Sequence, residues 1–170
     1  FVLSELYESP NVLPETFDIV YTGNGALCWL PDIAGWAQVV ARFVRPGGSF
    51  YIREGHPTFQ SLDQERVDGK LEITLPYFES NPQRWDEETT YVKVEAKMAH
   101  ATHYEWNHGL GEIVTALIEA GFRIEQLKEY QFLEWQAMSS MVKGDDGKWR
   151  LPEGSERLPL MYSVQATREG

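Results

Sequence analysis

The chain has 170 residues, of which 42% are hydrophobic and 24% charged, and its formal net charge is −11. This size and composition are typical of one globular domain. The acidic balance argues against a nucleic acid or an anionic membrane as the main partner, because both repel a negatively charged surface. The single cysteine, Cys28, excludes an intramolecular disulfide framework and fits a cytoplasmic location. No apolar run approaches the roughly 20 residues that a membrane span needs.

The first third of the chain reads as two strands followed by a helix and a further strand. Residues 1–7 have the pattern of a short strand, and residues 17–22 (FDIVYT) form a run that is apolar on both faces, as in a covered parallel sheet. Helical spacing predicts an amphipathic helix over 31–44, which the RPGG turn at 45–48 ends. Residues 49–53 predict the next strand, parallel to 17–22.

The middle of the chain, 57–106, differs from the first third because its pattern predicts strands and no helix. Residues 71–78 and 89–106 read as strands that are joined by a polar region around Asn81 and Pro82. We expect them to form an antiparallel flap inserted into the domain.

The last part returns to alternating elements. Residues 109–120 predict a second amphipathic helix, with Asn107 as its cap and Gly121 ending it in a left-handed conformation. Residues 122–130 and 158–168 predict two further strands.

Three stretches stand in this order along the chain: FDIVYTGNGALCWLPD, VARFVRPGGSFYI and GEIVTALIEAGFRIEQLKEY. Together they resemble the second half of a class I S-adenosylmethionine-dependent methyltransferase. The resemblance implies an α/β, Rossmann-like sheet that is mostly parallel, with an antiparallel last strand lying between the strands at 49–53 and 122–130. It further implies S-adenosylmethionine as cofactor, S-adenosylhomocysteine as product, and methyl transfer to a small-molecule acceptor.

The resemblance also implies a cofactor site at the carboxyl ends of the strands. The loop after 17–22 would lie under the methionine part of the cofactor, which assigns cofactor binding to Thr22, Gly23, Asn24 and Leu27. Glycine lets the backbone approach a ligand closely. A plain strand-to-helix turn would explain the same residues.

Residues 1–7 match the strand of the family that ends in an acidic residue. By resemblance, Glu5 accepts a hydrogen bond from the adenine amino group, and Leu6 lies beside the ring. A carboxylate suits an amino group because it is only an acceptor. A solvated loop glutamate is the alternative.

The family's glycine-rich first motif and its ribose-binding acid have no counterpart in the chain. The resemblance therefore implies a single partial methyltransferase domain, truncated at its N-terminus. Residues 17–22 would then have an exposed apolar edge, a hazard for aggregation or swapping. We expect either that upstream strands are missing or that another chain, such as a second copy in a homodimer, fills the gap.

Candidate substrate-side residues follow the strand at 49–53 and precede the second helix. His56 and His108 are candidate general bases, because imidazole titrates near neutral pH. The candidate substrate-binding residues are Glu54, Tyr104, Trp106 and Asn107. A solvated loop histidine and a helix-capping asparagine beside a packed tryptophan are the alternatives. The histidines at 100, 103 and 108 lack the spacing of a metal site.

The flap at 57–106 is expected to select the acceptor, and its aromatic residues are candidates for the roof of an apolar pocket. Two other functions stay open: a non-catalytic half-domain that needs a partner chain, and a nicotinamide-dependent oxidoreductase. The latter also contains strand–helix–strand units, but its fingerprint is equally missing.

Overall fold

The computed structural model describes residues 1–78, 81–86, 101–155 and 158–170. The helices are α1 (Ser9–Val12), α2 (Ile33–Phe43), α3 (Pro57–Gln60) and α4 (Leu110–Glu119), and Leu27–Trp29 form one 3-10 turn. The strands are β1 (Phe17–Thr22), β2 (Val44–Gly55), β3 (Gln83–Asp86), β4 (Thr102–Glu105), β5 (Phe122–Tyr130), β6 (Val142–Lys143), β7 (Trp149–Arg150) and β8 (Met161–Arg168).

Four strands form the main sheet, in the order β1-β2-β8-β5. β1 pairs with β2 in parallel, with Thr22 opposite Ile52. β8 is antiparallel to both of its neighbours, with Val164 opposite Ile52 on one side and Leu127 on the other. Three strands therefore run in one direction, and the last strand of the chain lies between two of them against that direction. This confirms the predicted Rossmann-like sheet with its antiparallel last strand.

The main core lies between this sheet and the helices α2 and α4. Asp32 begins α2, because its carboxylate accepts a hydrogen bond of 2.8 Å from the backbone N–H of Gly35. The apolar stripe of α2 is buried as predicted, and Trp36 packs edge-on against Phe50 of β2 with ring centroids 5.7 Å apart. Gly121 ends α4 in the left-handed conformation, with φ +87°, as its position predicted.

A second, smaller core packs beside the carboxyl end of β2. It joins α3 to the segment that follows β5, and its buried members are Phe59, Leu62, Leu133, Met138, Met141, Leu151, Leu160 and Met161. The short antiparallel pair of β6 and β7 lies on the same segment, and a turn at 144–147 connects the two strands.

Two local predictions were wrong. Residues 1–7 form no strand: Phe1 and Leu3 are exposed, and the chain instead turns into α1. A strand needs a neighbour to satisfy its backbone, and the described chain supplies none there. Asn107 does not cap α4 either, since Gly109 occupies the N-cap position without a side-chain hydrogen bond.

The strands predicted for the flap differ from the observed ones, and β3 lies in the region that was predicted to connect them. Residues 71–78 form no strand, and only a single bridge joins Ile73 to Leu62. β3 and β4 do form an antiparallel pair. Of the strand predicted over 89–106, the part at 89–100 lies outside the described residues.

β1 stands at the edge of the sheet in the described chain, and one of its faces is uncovered. The predicted strand was apolar on both faces, yet Ile19 is 70% exposed and Tyr21 58%. The Tyr21 ring stacks only on Tyr51 of β2, with centroids 6.0 Å apart. This edge and this face are accessible in the part of the chain that the structure describes.

Candidate functional site

Glu54 holds the glycine-rich loop that follows β1. It lies near the carboxyl end of β2 and is 5% exposed. Its carboxylate accepts hydrogen bonds from the backbone N–H of Gly25 (2.6 Å) and of Ala26 (2.9 Å). Burial raises the pKa of Glu54, and these backbone donors oppose that effect because they stabilise the charged form. The loop is therefore fixed against the next strand by one buried acid.

The segment before α4 attaches to the same loop. The backbone N–H of Trp106 donates to the carbonyl of Cys28 at 2.9 Å. The Nε2 atom of His108 lies 2.7 Å from the carbonyl oxygen of Leu30 and donates to it. Residues about 80 positions apart in sequence are thus joined at the carboxyl ends of β1 and β2, the edge at which open α/β sheets bind ligands.

Asn107 joins three parts of the chain at this place. It is 5% exposed, and its Nδ2 atom lies within hydrogen-bonding distance of the carbonyl of Pro57 (3.1 Å), the hydroxyl of Ser61 (3.0 Å) and the carbonyl of Pro76 (3.0 Å). The side chain therefore ties α3 and the segment around Pro76 to the start of α4. It forms the wall between the loop after β1 and the flap.

A cavity of about 370 Å³ opens beside this wall, and we call it the flap cavity. Its lining combines aromatic rings with carboxylates and amides. The aromatic members are Phe59, Trp85, Trp106 and Trp135; the acidic ones are Asp63, Glu65 and Glu105; the amides are Gln60, Gln64, Gln83 and Asn107. Trp85 and Trp106 were predicted as part of a roof, but the pocket they line is more polar than the apolar one expected.

A narrow cleft of about 30 Å³ lies between the flap cavity and the loop after β1. Cys28, Gln60, Trp106 and Asn107 line both spaces, and the cleft continues to Glu54 and Leu27. A group bound at the carboxyl ends of β1 and β2 would therefore be next to one bound in the cavity.

Comparison with solved structures identifies this architecture, although no family model and no curated protein matches the chain. The chain is similar over 91% of its length to a protein from Listeria monocytogenes assigned as an S-adenosylmethionine-dependent methyltransferase (17% identity, TM-score 0.57). It is similar over 90% to such a methyltransferase from Mesorhizobium loti (22%, 0.54) and over 93% to one from Clostridium acetobutylicum (10%, 0.53). The chain has the class I methyltransferase fold. It spans 62%, 62% and 61% of the length of these three structures.

Within the methyltransferase fold, Thr22, Gly23, Asn24 and Leu27 lie on and after the end of β1, with Leu27 buried and Asn24 exposed. Glu5 and Leu6 lie elsewhere, before α1. The Glu5 carboxylate is exposed and accepts from the backbone N–H of Glu8 at 3.0 Å. Leu6 packs against the main core. Their predicted contact with adenine stays a prediction.

Of the substrate-side candidates, Trp106 and Asn107 line the flap cavity and Glu54 lies in the adjoining cleft. Tyr104 is 47% exposed on β4. His108 is buried. Its Nε2 atom contacts the carbonyl oxygen of Leu30, and its Nδ1 atom lies 3.4 Å from a carboxylate oxygen of Glu112. Both of its ring nitrogens are therefore engaged.

Cys28 is not poised as a nucleophile. Burial, with added repulsion from the carboxylates of Glu105 and Glu54, raises the pKa of the Cys28 thiol to about 12. The thiol stays protonated at neutral pH, and a protonated thiol is a weak nucleophile.

His56, the other candidate base, begins α3. It is 3% exposed; its Nδ1 atom accepts a hydrogen bond of 3.1 Å from the backbone N–H of Thr58, and its Nε2 atom lies 3.0 Å from Oε1 of Glu129. Burial lowers the pKa of His56, and the Glu129 carboxylate opposes that effect. These contacts give the imidazole a capping role.

We expect His56→Ala to lower the free energy of unfolding by about 1 kcal/mol, because the cap of α3 is lost. We expect His56→Asn to lose less, because asparagine caps well.

The lowered pKa of His56 also makes the free energy of unfolding depend on pH. Neutral His56 contributes stability that is present above the unfolded pKa of 6.5 and is lost as pH falls through the lower folded value. Urea unfolding between pH 7.5 and 5 measures both effects. An equal decline with pH in wild type and His56→Asn would contradict this account.

Sequence reasoning missed the acidic side of the flap cavity. Asp63 and Glu65 follow α3, whereas Trp135 comes from the segment after β5. None belongs to a recognisable motif, and only the packing of α3 against the segment after β5 brings them together. The one signal in the sequence was the high content of acidic residues, which does not indicate where in the fold those residues come together.

Proposed function

We propose that the chain is part of an S-adenosylmethionine-dependent methyltransferase that acts on a small-molecule acceptor. The cofactor would lie against the loop after β1 and the acceptor in the flap cavity. The observation that carries this proposal is the position of the cavity, which adjoins the Glu54-anchored loop through the narrow cleft. The fold of the solved structures supports it.

The loop fits a ligand of this kind. Gly25 has φ +72°, and a Cβ built there would have no atom within 4 Å, so the space beside it is open. The side chains of Thr22 and Asn24 supply a hydroxyl and an amide, both of which can donate hydrogen bonds. We propose Thr22, Gly23, Asn24 and Leu27 as the residues that hold the methionine part of the cofactor. Glu5 and Leu6 are proposed for the adenine end.

When bound, S-adenosylmethionine supplies a methyl group on a sulfonium: the acceptor's lone pair forms the bond to the methyl carbon, and the electrons of the broken C–S bond pass to sulfur. The chain's own residues position the acceptor and exclude water, which are the main needs of such a displacement. The engaged nitrogens of His56 and His108 favour positioning over proton transfer for both residues. Glu54 acts through the loop that it anchors.

Calorimetric titration with S-adenosylhomocysteine tests the proposal. We expect micromolar binding by the chain and at least tenfold weaker binding by Gly25→Ala, because alanine strains the left-handed backbone of the loop. Gly147→Ala is the matched control: Gly147 also has positive φ (+78°) and open space, but lies between β6 and β7. Equal weakening by both variants, or no binding by the folded chain, would contradict the proposal.

A non-catalytic half-domain that pairs with another chain is the second candidate. The exposed apolar residues of β1, Ile19 and Tyr21, favour it. A folded chain that sediments as a dimer and binds no S-adenosylhomocysteine would support this function instead. Wild-type binding in a monomer would exclude it.

A further inference from the structure

We infer that the flap cavity takes an acceptor that carries a positively charged amine. The inference rests on the proposed function, since it names the class of substrate for the same site. It is carried by the charge of the lining, by the aromatic rings beside the charges, and by the position of the cavity relative to the loop after β1.

Among the described residues of the lining, three side chains are acidic and one is a histidine. Asp63, Glu65 and Glu105 contribute three carboxylates, and none of the described residues that line the cavity is a lysine or an arginine. Nε2 of His103 lies 3.6 Å from Oε1 of Glu105. A carboxylate ligand would meet repulsion here, whereas an ammonium group would find acceptors that match its three donors.

Aromatic rings adjoin these carboxylates. Trp85, Trp106 and Trp135 line the same cavity, and indole is the best aromatic partner for a cation. The rings also bury the apolar body of a small ligand. Carboxylates with tryptophans therefore suit a molecule that has an ammonium group on an apolar frame, and a volume of about 370 Å³ lies in the range of small-ligand pockets.

Acidic side chains also lie between the cavity and the loop after β1. Cys28 lines both the flap cavity and the narrow cleft, whereas Glu105 lines the cavity and Glu54 lines the cleft. Burial raises the pKa of the Cys28 thiol, and both acids contribute to that shift. Carboxyl groups therefore border both the proposed acceptor site and the way toward the proposed cofactor position.

An amine acceptor fits the chemistry of the transfer. The ammonium must first lose one proton, which frees the nitrogen lone pair; the acidic side chains and the His103 imidazole of the lining are the groups to which that proton would pass. As the new N–C bond forms, positive charge develops on the nitrogen, so the net change is one methylated ammonium formed and one proton released. Carboxylates near that nitrogen stabilise the developing charge.

Titrations of tryptophan fluorescence with three matched probes test the inference on the whole chain at low ionic strength. The probes are 2-phenylethylamine, 2-phenylethanol and 3-phenylpropionate, which share the aromatic frame and differ in charge. We expect the amine to bind at least tenfold more tightly than the alcohol and the carboxylate most weakly. Equal affinity for amine and alcohol would overturn the inference.

The substitution Glu105→Gln tests whether the preference for the amine arises in the flap cavity. We expect it to reduce the preference for the amine over the alcohol severalfold, while Glu119→Gln, which removes the same charge from the exposed end of α4, leaves the preference unchanged. Asp63→Asn serves as a second cavity variant if Glu105→Gln does not fold, because asparagine keeps an acceptor for the backbone N–H of Glu65. An equal loss in the Glu119 control would assign the preference to overall charge and overturn the inference.

Binding of S-adenosylhomocysteine is measured separately on the same protein. Its absence would contradict the proposed methyl transfer even if the amine preference is found. Its presence without an amine preference would leave methyl transfer standing and reject the amine as acceptor. The two failures are therefore distinguishable.

Discussion

Replacing Asn107 by aspartate is expected to destabilise the chain by roughly 3 kcal/mol at neutral pH, the largest effect of any single substitution near the site. The Nδ2 atom of Asn107 faces the carbonyls of Pro57 and Pro76 and the hydroxyl of Ser61. A carboxylate has no hydrogen to donate to the two carbonyls, and its charge would be buried beside them. The loss comes from repulsion and desolvation, since the change in size is small.

Chemical denaturation measured at pH 7 and pH 4 tests this result. The variant should recover part of its stability at the lower pH, because a protonated aspartate can donate to one of the carbonyls again. Asn11→Asp is the matched control: Asn11 is exposed on α1 and bonds only to Glu8 among the described contacts, so it should change stability little. Equal stability of Asn107→Asp and wild type at pH 7 would contradict the proposed wall.

Glu54→Ala is expected to cost roughly 2 kcal/mol and to weaken S-adenosylhomocysteine binding at least tenfold. The substitution removes the acceptors for the backbone N–H groups of Gly25 and Ala26 and frees the loop after β1. Glu54→Gln should lose less, because its amide retains one acceptor oxygen. Calorimetric titration and urea unfolding of both variants measure the two effects.

The pH dependence of the free energy of unfolding distinguishes the contribution of the Glu54 charge from the contribution of its side-chain shape. Burial raises the pKa of Glu54 above 4.5, so the folded chain holds this proton to higher pH than the unfolded chain does. The corresponding stability is present below the unfolded pKa and is lost as pH rises through the folded value. Glu54→Gln should therefore lack this decline between pH 4 and 7. If the free energy of unfolding of Glu54→Gln changes with pH as that of the wild type does, the Glu54 carboxyl group is not the group whose titration causes the decline.

The sequence predicts the main sheet well because each of its elements carries its own local signal. The strand at 122–130 was predicted with its observed bounds, and α2 has both an apolar stripe and the Asp32 cap. The order of the three stretches of motif-like sequence then supplies the topology, including the antiparallel position of β8. Periodicity alone would not have placed β8 between β2 and β5.

The site was less predictable because its contacts are long-range. Glu54 was chosen as a residue that orients the substrate, yet its carboxylate binds the backbone of Gly25 and Ala26. Asn107 was expected to cap the helix that it precedes, and it bonds instead to residues 31 to 50 positions away. Both side chains are buried polar groups whose partners depend on how α3 and the flap pack.

Residues 1–7 show a second limit of sequence-based prediction: here the local pattern predicts a strand that does not form. Its apolar residues suit a short strand, but a strand forms only beside another strand. In the described chain, Tyr7 instead binds the backbone of Asp32 through its hydroxyl group, and residues 1–5 are exposed. Local pattern alone cannot supply the neighbour that would complete it.

The central position of β8 has a consequence for how the chain folds during synthesis. β2 and β5 are not adjacent in the sheet, and residues 161–168 lie between them: β8 pairs with β2 on the side opposite to β1 and with β5 on its other side. The ribosome must therefore release residues 161–168 before these two strands can be joined, and the loops that must close make this step slow. Until then β5 has no partner strand, so a chain that is terminated before residue 161 should yield a product that chaperones retain and proteases degrade.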